Sequence, residues 1–284
     1  MLSIIICSRT EYISQKFQEN VKNTIGTDYE IIVIGNVKNK YSIFEAYNLG
    51  IKKSIGDYWC FIHDDIFIQT NNWGKRIEEV FSINPEFGLL GIAGGKIKTK
   101  MPSAWWDTGN NVLKLKQHHW DGSSEIWDQG FEDDEIEEVA AIDGVFMAMR
   151  KNEQITFDEK LKGFHNYDIY LSLKHHILNK KVIVTNRIFI EHFSQGNLDK
   201  SWLEATSLFH KLYKKYLPIY IKGKYEKEYI RKLEYKTGTR FITKLIEQKM
   251  YKDAIYWWYE ILKIHPVSKY HYRFWKSILK EMIC

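Results

Sequence analysis

Tyr58-Trp59-Cys60-Phe61-Ile62-His63-Asp64-Asp65 is a run of five apolar residues that stops at an imidazole and two carboxylates, and Ile66-Phe67-Ile68 follows as a second apolar run. A short apolar run bounded in this way reads as a buried strand. Two carboxylates and an imidazole at its end are costly to bury unless something pairs with them. A divalent cation fits that need, because hard cations take carboxylate oxygens and imidazole suits transition metals. Asp-Asp at a strand end is also ordinary turn chemistry, so the neighbouring segments have to decide.

Working outward towards the N-terminus, Leu2–Cys7 is apolar and closes on Ser8-Arg9-Thr10, a strand followed by a loop. Tyr12 to Thr24 is moderately helical, and the Ile/Val-rich segment Glu30–Ile34 closes on Gly35-Asn36 as a second buried strand. Between Ser42 and Ser54, Phe44, Tyr47 and Ile51 recur at helical spacing, with Ser42 as N-cap and Glu45 three residues on. Trp73, Ile77, Val80 and Phe81 mark another helix, and Leu89–Ala93 a fourth strand. Strands alternating with helices imply a parallel sheet with helices on its faces. Ligands bind beyond the carboxyl ends of such strands, so Ser8-Arg9, Gly35-Asn36 and His63-Asp64-Asp65 fall on one edge by topology. No G-x-G-x-x-G follows the first strand and no G-x-x-x-x-G-K-[ST] occurs, which argues against a dinucleotide fold and a P-loop.

Residues 96–138 read as irregular. They carry Trp105, Trp106, Trp120 and Trp127 and an acidic run of Glu132, Asp133, Asp134, Glu135, Glu137 and Glu138. Long loops of this kind are commonly lids or binding loops. Val139–Arg150 is a strand region broken at Asp143-Gly144. A helix is expected from near Asn166, with Asp168 in its first turn and Ile169, Leu173 and Ile177 facing the core. Lys181–Val184 and Arg187–Ile190 are expected strands, the second running into Glu191-His192. After Trp202 the pattern is helical to the end, and Ala254, Trp258 and Pro266 carry a trace of one tetratricopeptide unit; a plain helical hairpin accounts for them better.

The 284 residues, 44% of them hydrophobic, suffice for one large domain or a domain with an appendage. No stretch of about 18 consecutive apolar residues exists, and Met1–Cys7 is too short, and lacks the basic start, for a signal peptide. A cytosolic protein is expected. Of three cysteines, Cys7 and Cys60 fall on expected strands and Cys284 is the last residue, which offers neither a disulfide framework nor a zinc ribbon. Residues 201–284 hold 18 Lys/Arg against 8 Asp/Glu, and residues 1–200 hold 23 against 28. A basic tail on an acidic body suggests an anionic neighbour for the tail, or a solvated lysine-rich surface.

Taken in order, these motifs resemble those of GT-A fold glycosyltransferases of the family-2 kind, and more narrowly a bacterial family-2-like group whose metal motif reads His-Asp-Asp. The resemblance runs from Ile4 to about Trp202. Ile5-Ile6-Cys7-Ser8-Arg9 resembles the opening strand and donor loop. Ala46-Tyr47-Asn48-Leu49-Gly50-Ile51 resembles the "a-x-N-x-G-i" helix, and Gly56-Asp57-Tyr58 with Phe61–Asp65 resembles "G-e-y … f-l-D-x-D". Asp143–Ala148 resembles the "x-G-x-f-m-a" strand. Phe157-Asp158-Glu159 through Asp168–Leu173 resembles "F-d-E … E-D-x-D-L-x-L".

That resemblance implies an α/β architecture: a mixed, mainly parallel GT-A sheet flanked by helices over residues 1–202, with a basic helical C-terminal region over 203–284. It implies Asp65 as a ligand of the cation that bridges the donor diphosphate, either Mn²⁺ or Mg²⁺. His192 would complete that site, and either His63 or Asp64 would join it. Asp168 is implied as catalytic base, with Asp143 as the next candidate. Ser8, Arg9, Asn36, Tyr47, Asn48 and Asp64 would line the nucleotide-sugar donor. The pattern departs at His63, where an acid usually stands, at Tyr167, where Glu is usual, and at Gly35-Asn36, where an acid that reads the base is absent. The implied activity is inverting sugar transfer to a glycan or lipid-linked hydroxyl in bacterial surface polysaccharide or glycan synthesis, without nucleic acid. The rivals are a catalytically silent GT-A scaffold and a nucleotidyltransferase. The latter would want a phosphate loop richer in Gly and Lys/Arg than the one holding Arg9.

Overall fold

The computed structural model describes the chain apart from residues 133, 134, 195, 197, 222 and 284 and the side chains of residues 281–283. Asp133 and Asp134 of the acidic run and Cys284 therefore lie outside the described residues. The first half runs β1 (Leu2–Ser8), α1 (Gln15–Thr24), β2 (Tyr29–Gly35), α2 (Ile43–Lys53), β3 (Tyr58–Ile62), β4 (Ile66–Ile68), α3 (Trp73–Ile83), β5 (Phe87–Gly91), β6 (Ala93–Gly95) and β7 (Ile97–Lys98). Next come β8 (Asn111–His118), β9 (Ser124–Gln129), β10 (Ile136–Glu138), β11 (Ala141–Ile142), β12 (Phe146–Arg150), α4 (Tyr167–Ile177), β13 (Lys181–Thr185) and β14 (Ile190–His192). The chain closes with α5 (Lys200–Tyr213), β15 (Ile219–Tyr220), α6 (Lys227–Glu247), α7 (Tyr251–Ile264) and α8 (Lys269–Ile283).

The main sheet has the order β10-β13-β5-β12-β3-β1-β2. β1 lies between β2 and β3 and is parallel to both, as the strand–helix–strand pattern requires, while β12 inserts antiparallel between β3 and β5. A second sheet, β11-β6-β8-β14-β4 with β9 added to β8, carries the long hairpin. α2 starts at a capping box: Ser42 Oγ accepts from the Glu45 N–H and the Glu45 carboxylate accepts from the Ser42 N–H. Gly50 lets α2 lie directly on β1, since a Cβ there would stand 2.3 Å from Ile5 Cγ2.

Four expectations need correction. Residues 96–138 are not irregular throughout: β7 to β10 run through them, with turns and coil over 99–110. β8 does alternate, with Leu113, Leu115 and Gln117 buried and Lys114 and Lys116 on its outer face, whereas β9 is exposed at every residue and carries no apolar stripe. The second late strand begins at Ile190 rather than Arg187. Ile177 is exposed at the end of α4, while Ile169 and Leu173 are buried as expected. The helical tail is also interrupted by β15, which pairs with β7.

The segment after β7 is fastened by the C-terminal helices. The α6 residue Glu234 accepts from the Lys100 and Met101 N–H groups at 2.6 and 2.7 Å. Lys98 is wholly buried, and its ammonium meets Ser103 O, Ser103 Oγ and His210 Nε2 of α5 at 2.5–2.9 Å. Burial pulls the Lys98 pKa down to about 7. Met101 and Ala104 pack in one core with Phe241, Trp257 and Phe274. Phe209 and Leu217 pack with Tyr170 in the core beneath the main sheet.

Asn48 of α2 holds the chain segment ahead of α4. Its Nδ2 donates to Phe157 O and Glu159 Oε1, both at 2.9 Å, and its Oδ1 accepts from Phe157 N at 2.8 Å. Asn48→Ala leaves buried backbone groups unpaired, so it should cost roughly 2–4 kcal/mol, read as a lower denaturant midpoint at unchanged slope. A variant that unfolds like the wild type would remove this clamp from the account.

Candidate active site

β3 ends at Ile62 and the chain turns through His63-Asp64-Asp65 into β4. Alternating side-chain direction sends residues 63 and 65 one way and residue 64 the other. Asp64 faces β1, where Ser8 Oγ donates to its carboxylate. Ser8 is buried at the end of its strand, and its carbonyl accepts from Asn36 N at 2.7 Å, so the ends of β1, β2 and β3 meet as the topology requires. Arg9 is exposed just beyond. The Asn36 amide is committed to its own loop, donating to Tyr41 O at 2.9 Å and accepting from Tyr41 N at 2.8 Å. Tyr47 is buried, its ring 4.8 Å from Phe61 and 5.6 Å from Tyr167, and burial drives its hydroxyl pKa well up.

His63, Asp65 and His192 converge, with one ligand atom from each lying within 4.8 Å of the others. The register of β14 brings His192 in: it pairs with Ile66 of β4 and with Gln117 of β8, and Phe193 N donates to Asp65 O. Asp65 Oδ1 lies 3.7 Å from His63 Nδ1 and 3.8 Å from His192 Nε2. That oxygen is buried and has no hydrogen-bond partner. Behind the cluster, His63 Nε2 is 2.7 Å from the Tyr167 hydroxyl, and His192 Nδ1 is 3.0 Å from Gln117 Oε1. The Ser194 hydroxyl lies 3.3 Å from His192 Nε2. Burial, and then the neighbouring His63, lower the His192 pKa against the pull of Asp65 and Asp143, which keeps its imidazole neutral and able to ligate. An unpaired carboxylate oxygen between two imidazoles, both backed by hydrogen-bond partners, is a donor set that fits a divalent cation.

Asp168 stands in the first turn of α4, partly accessible, with its Oδ1 accepting from Ile169 N at 2.8 Å. Burial first, and the Asp143 carboxylate second, raise its pKa to about 7, against the Ile169 N–H and the Lys98 cation. Asp143 is more fully engaged, accepting from Trp105 Nε1 and from Val145 N, both at 2.8 Å.

Three supporting residues escaped the sequence reading. Gln117 stands at a core-facing position of β8, and a buried amide in an apolar alternation is the signal that marks it. Trp105 is buried with its indole on Asp143, whereas Trp106, Trp120 and Trp127 remain partly exposed. Tyr167, one departure from the family pattern, touches another, His63.

Residues 3–222 match the model of a family described as "Glycosyltransferase like family". Among solved structures, the chain is similar to S. aureus TarS residues 1–349 in complex with UDP-GlcNAc, with 12% identity, 93% of this chain and 81% of that chain covered, and a TM-score of 0.54. It is also similar to GalNAc-T7 with UDP, GalNAc and Mn²⁺, with 11% identity, 99% of this chain and 57% of that chain covered, and a TM-score of 0.48. No curated protein sequence matches it. With the family model spanning most of its length and a mixed α/β sheet ending in this cluster, the chain belongs to the glycosyltransferase-like family and adopts the GT-A fold.

Proposed function

We propose that the protein transfers a sugar, with inversion, from a nucleotide-sugar donor to a hydroxyl of a glycan or lipid-linked acceptor, in bacterial surface polysaccharide synthesis and with a divalent cation, Mn²⁺ or Mg²⁺. The observation that carries this reading is the unpaired Asp65 oxygen between His63 and His192. Those three residues would hold the cation, whose chemistry is to neutralise charge on a departing diphosphate. Ser8 and Arg9, at the end of β1 beside Asp64, are placed to border the donor. Asp168 would be the base: its raised proton affinity suits taking a proton from an acceptor hydroxyl near neutral pH. Asp143 has both oxygens occupied by donors, and it serves to raise the Asp168 pKa rather than to take the proton itself.

The tail supports a second contact. No helix among the described residues is long and apolar enough to cross a membrane. On α8, Tyr272, Trp275 and Leu279 are exposed at three- and four-residue spacing, with Arg273, Lys276 and Lys280 exposed beside them. A basic helix that displays aromatic side chains suits the headgroup region of anionic lipid. On this reading the enzyme works in the cytoplasm, peripheral to the inner face of the membrane. The protein should float with phosphatidylglycerol vesicles at low salt, not with phosphatidylcholine vesicles, and should be released as salt screens the attraction over about 10 Å at 0.1 M. Binding that ignores lipid charge and salt would rule this contact out.

Asp65→Ala should abolish cation-dependent donor turnover with the fold intact. A variant that keeps wild-type turnover in saturating EDTA would refute the cation role. Donor hydrolysis in the absence of acceptor also separates a transferase, which leaks some product, from a silent scaffold. Asp168→Asn keeps the size and loses the basicity, so kcat should fall by about 100- to 10,000-fold with donor affinity little changed. A fall of less than about tenfold assigns the proton transfer elsewhere.

Asp168 also predicts a pH dependence of stability. Its folded pKa lies above the unfolded value, so folding is penalised as pH rises from the unfolded pKa near 4 to the folded one near 7. Metal-free Asp168→Asn should therefore melt above the wild type at pH 8, the gap narrowing as pH falls towards 4. Equal melting temperatures across that range would contradict the raised pKa.

A further inference from the structure

Tyr167 precedes Asp168 in the first turn of α4, and its ring is packed onto the backbone of Gly144, where a Cβ would stand 2.2 Å from the hydroxyl oxygen. No other residue type at 144 leaves room for the phenol. The hydroxyl lies 2.7 Å from His63 Nε2. A neutral phenol oxygen can accept from an imidazole N–H. When it accepts from Nε2–H, the lone pair of His63 is on Nδ1, the nitrogen 3.7 Å from Asp65 Oδ1.

His192 is set the same way from the opposite side. Gln117 Nε2 donates to His118 O and Ser194 O at 2.8 Å, with His192 O at 3.4 Å, which fixes the orientation of the amide. Its Oε1 is then left to accept from His192 Nδ1 at 3.0 Å, and His192 Nε2 carries the lone pair towards Asp65. Two imidazoles thus offer lone pairs to the space beside one carboxylate oxygen.

We propose that Tyr167 is a positioning residue that holds His63 as an Nδ1 ligand, and that the resulting set of two imidazoles and one carboxylate makes this site select Mn²⁺ over Mg²⁺. The inference rests on the cation reading above and goes beyond it by naming the ligand atoms and the ion. Mg²⁺ demands oxygen ligands in near-ideal octahedral geometry and gives up water reluctantly, whereas imidazole nitrogen favours first-row transition ions. A carboxylate at position 63 would need no phenol behind it and would restore an oxygen donor.

The test is a titration of Mn²⁺ followed by electron paramagnetic resonance, alone and with UDP, with Mg²⁺ as competitor. In the wild type, about a tenfold excess of Mg²⁺ should leave Mn²⁺ bound, and spin-echo modulation should show two directly coupled nitrogens. Tyr167→Phe should weaken Mn²⁺ binding by about 10- to 100-fold, the usual effect of losing the partner behind a ligating imidazole, and leave Mg²⁺ affinity within about a factor of two. His63→Asp should leave one coupled nitrogen and raise Mg²⁺ affinity, and in that background Tyr167→Phe should have no further effect, which a merely structural role of the ring would not produce. Mg²⁺ that displaces Mn²⁺ one for one, or a Tyr167→Phe loss that is absent or equal in both backgrounds, would overturn this inference and leave the cation reading standing. A wild-type protein that binds no Mn²⁺ with or without UDP would overturn both.

Discussion

A buried carboxylate oxygen without a hydrogen-bond donor, Asp65 Oδ1, lies between two imidazole nitrogens. Burying a carboxylate oxygen without a partner is costly, although part of the Asp65 side chain stays in contact with solvent. That cost can be carried only because the surrounding structure leaves Asp65 little freedom. Its carbonyl is bonded to Phe193 N, its neighbour Asp64 is bonded to Ser8, and its two flanking strands sit in different sheets. The convergence of β3, β4 and β14 therefore puts the three ligands together before any ion is present. In the site proposed here the fold supplies preorganisation, and a cation would supply the missing partner.

Asp168, the proposed base, is positioned by a separate chain of contacts that starts far from it. Glu234 of α6 and His210 of α5 fix the segment around Lys98–Ser103. That segment leads to Trp105, whose indole holds Asp143, and Asp143 in turn raises the proton affinity of Asp168. The C-terminal helices thus border the candidate site through packing and hydrogen bonds, although none of their described side chains stands in the cluster of His63, Asp65 and His192. Tyr167 links the two halves, since it meets His63 and adjoins Asp168 in the same helical turn.

Much of this was legible in the sequence because it depends on local patterns. Apolar runs closed by polar residues mark β1, β2 and β3, and the Ser42/Glu45 capping box marks α2. The order of those elements alone places Ser8, Asn36 and Asp64 on one sheet edge, and their hydrogen bonds bear that out. What was not legible depends on pairing across the chain. β9 has no buried face, so its existence is set by its register with β8 and not by its own residues. Gln117 becomes meaningful only once β14 lies beside β8. Asn36, Tyr47 and Asn48 were read towards the donor. The structure commits the amides of Asn36 and Asn48 to neighbouring backbone and buries Tyr47 under the site, arrangements that depend on contacts with Tyr41, Phe157 and Phe61.

The central claim is that one cation is shared by these three side chains. Anomalous diffraction from crystals soaked in Mn²⁺ tests it most directly. The account predicts a single strong peak about 2.2 Å from Asp65 Oδ1, His63 Nδ1 and His192 Nε2, the spacing of first-row ions from such ligands. A peak that bypasses Asp65, or one held by Asp64 and Ser8 instead, would contradict it.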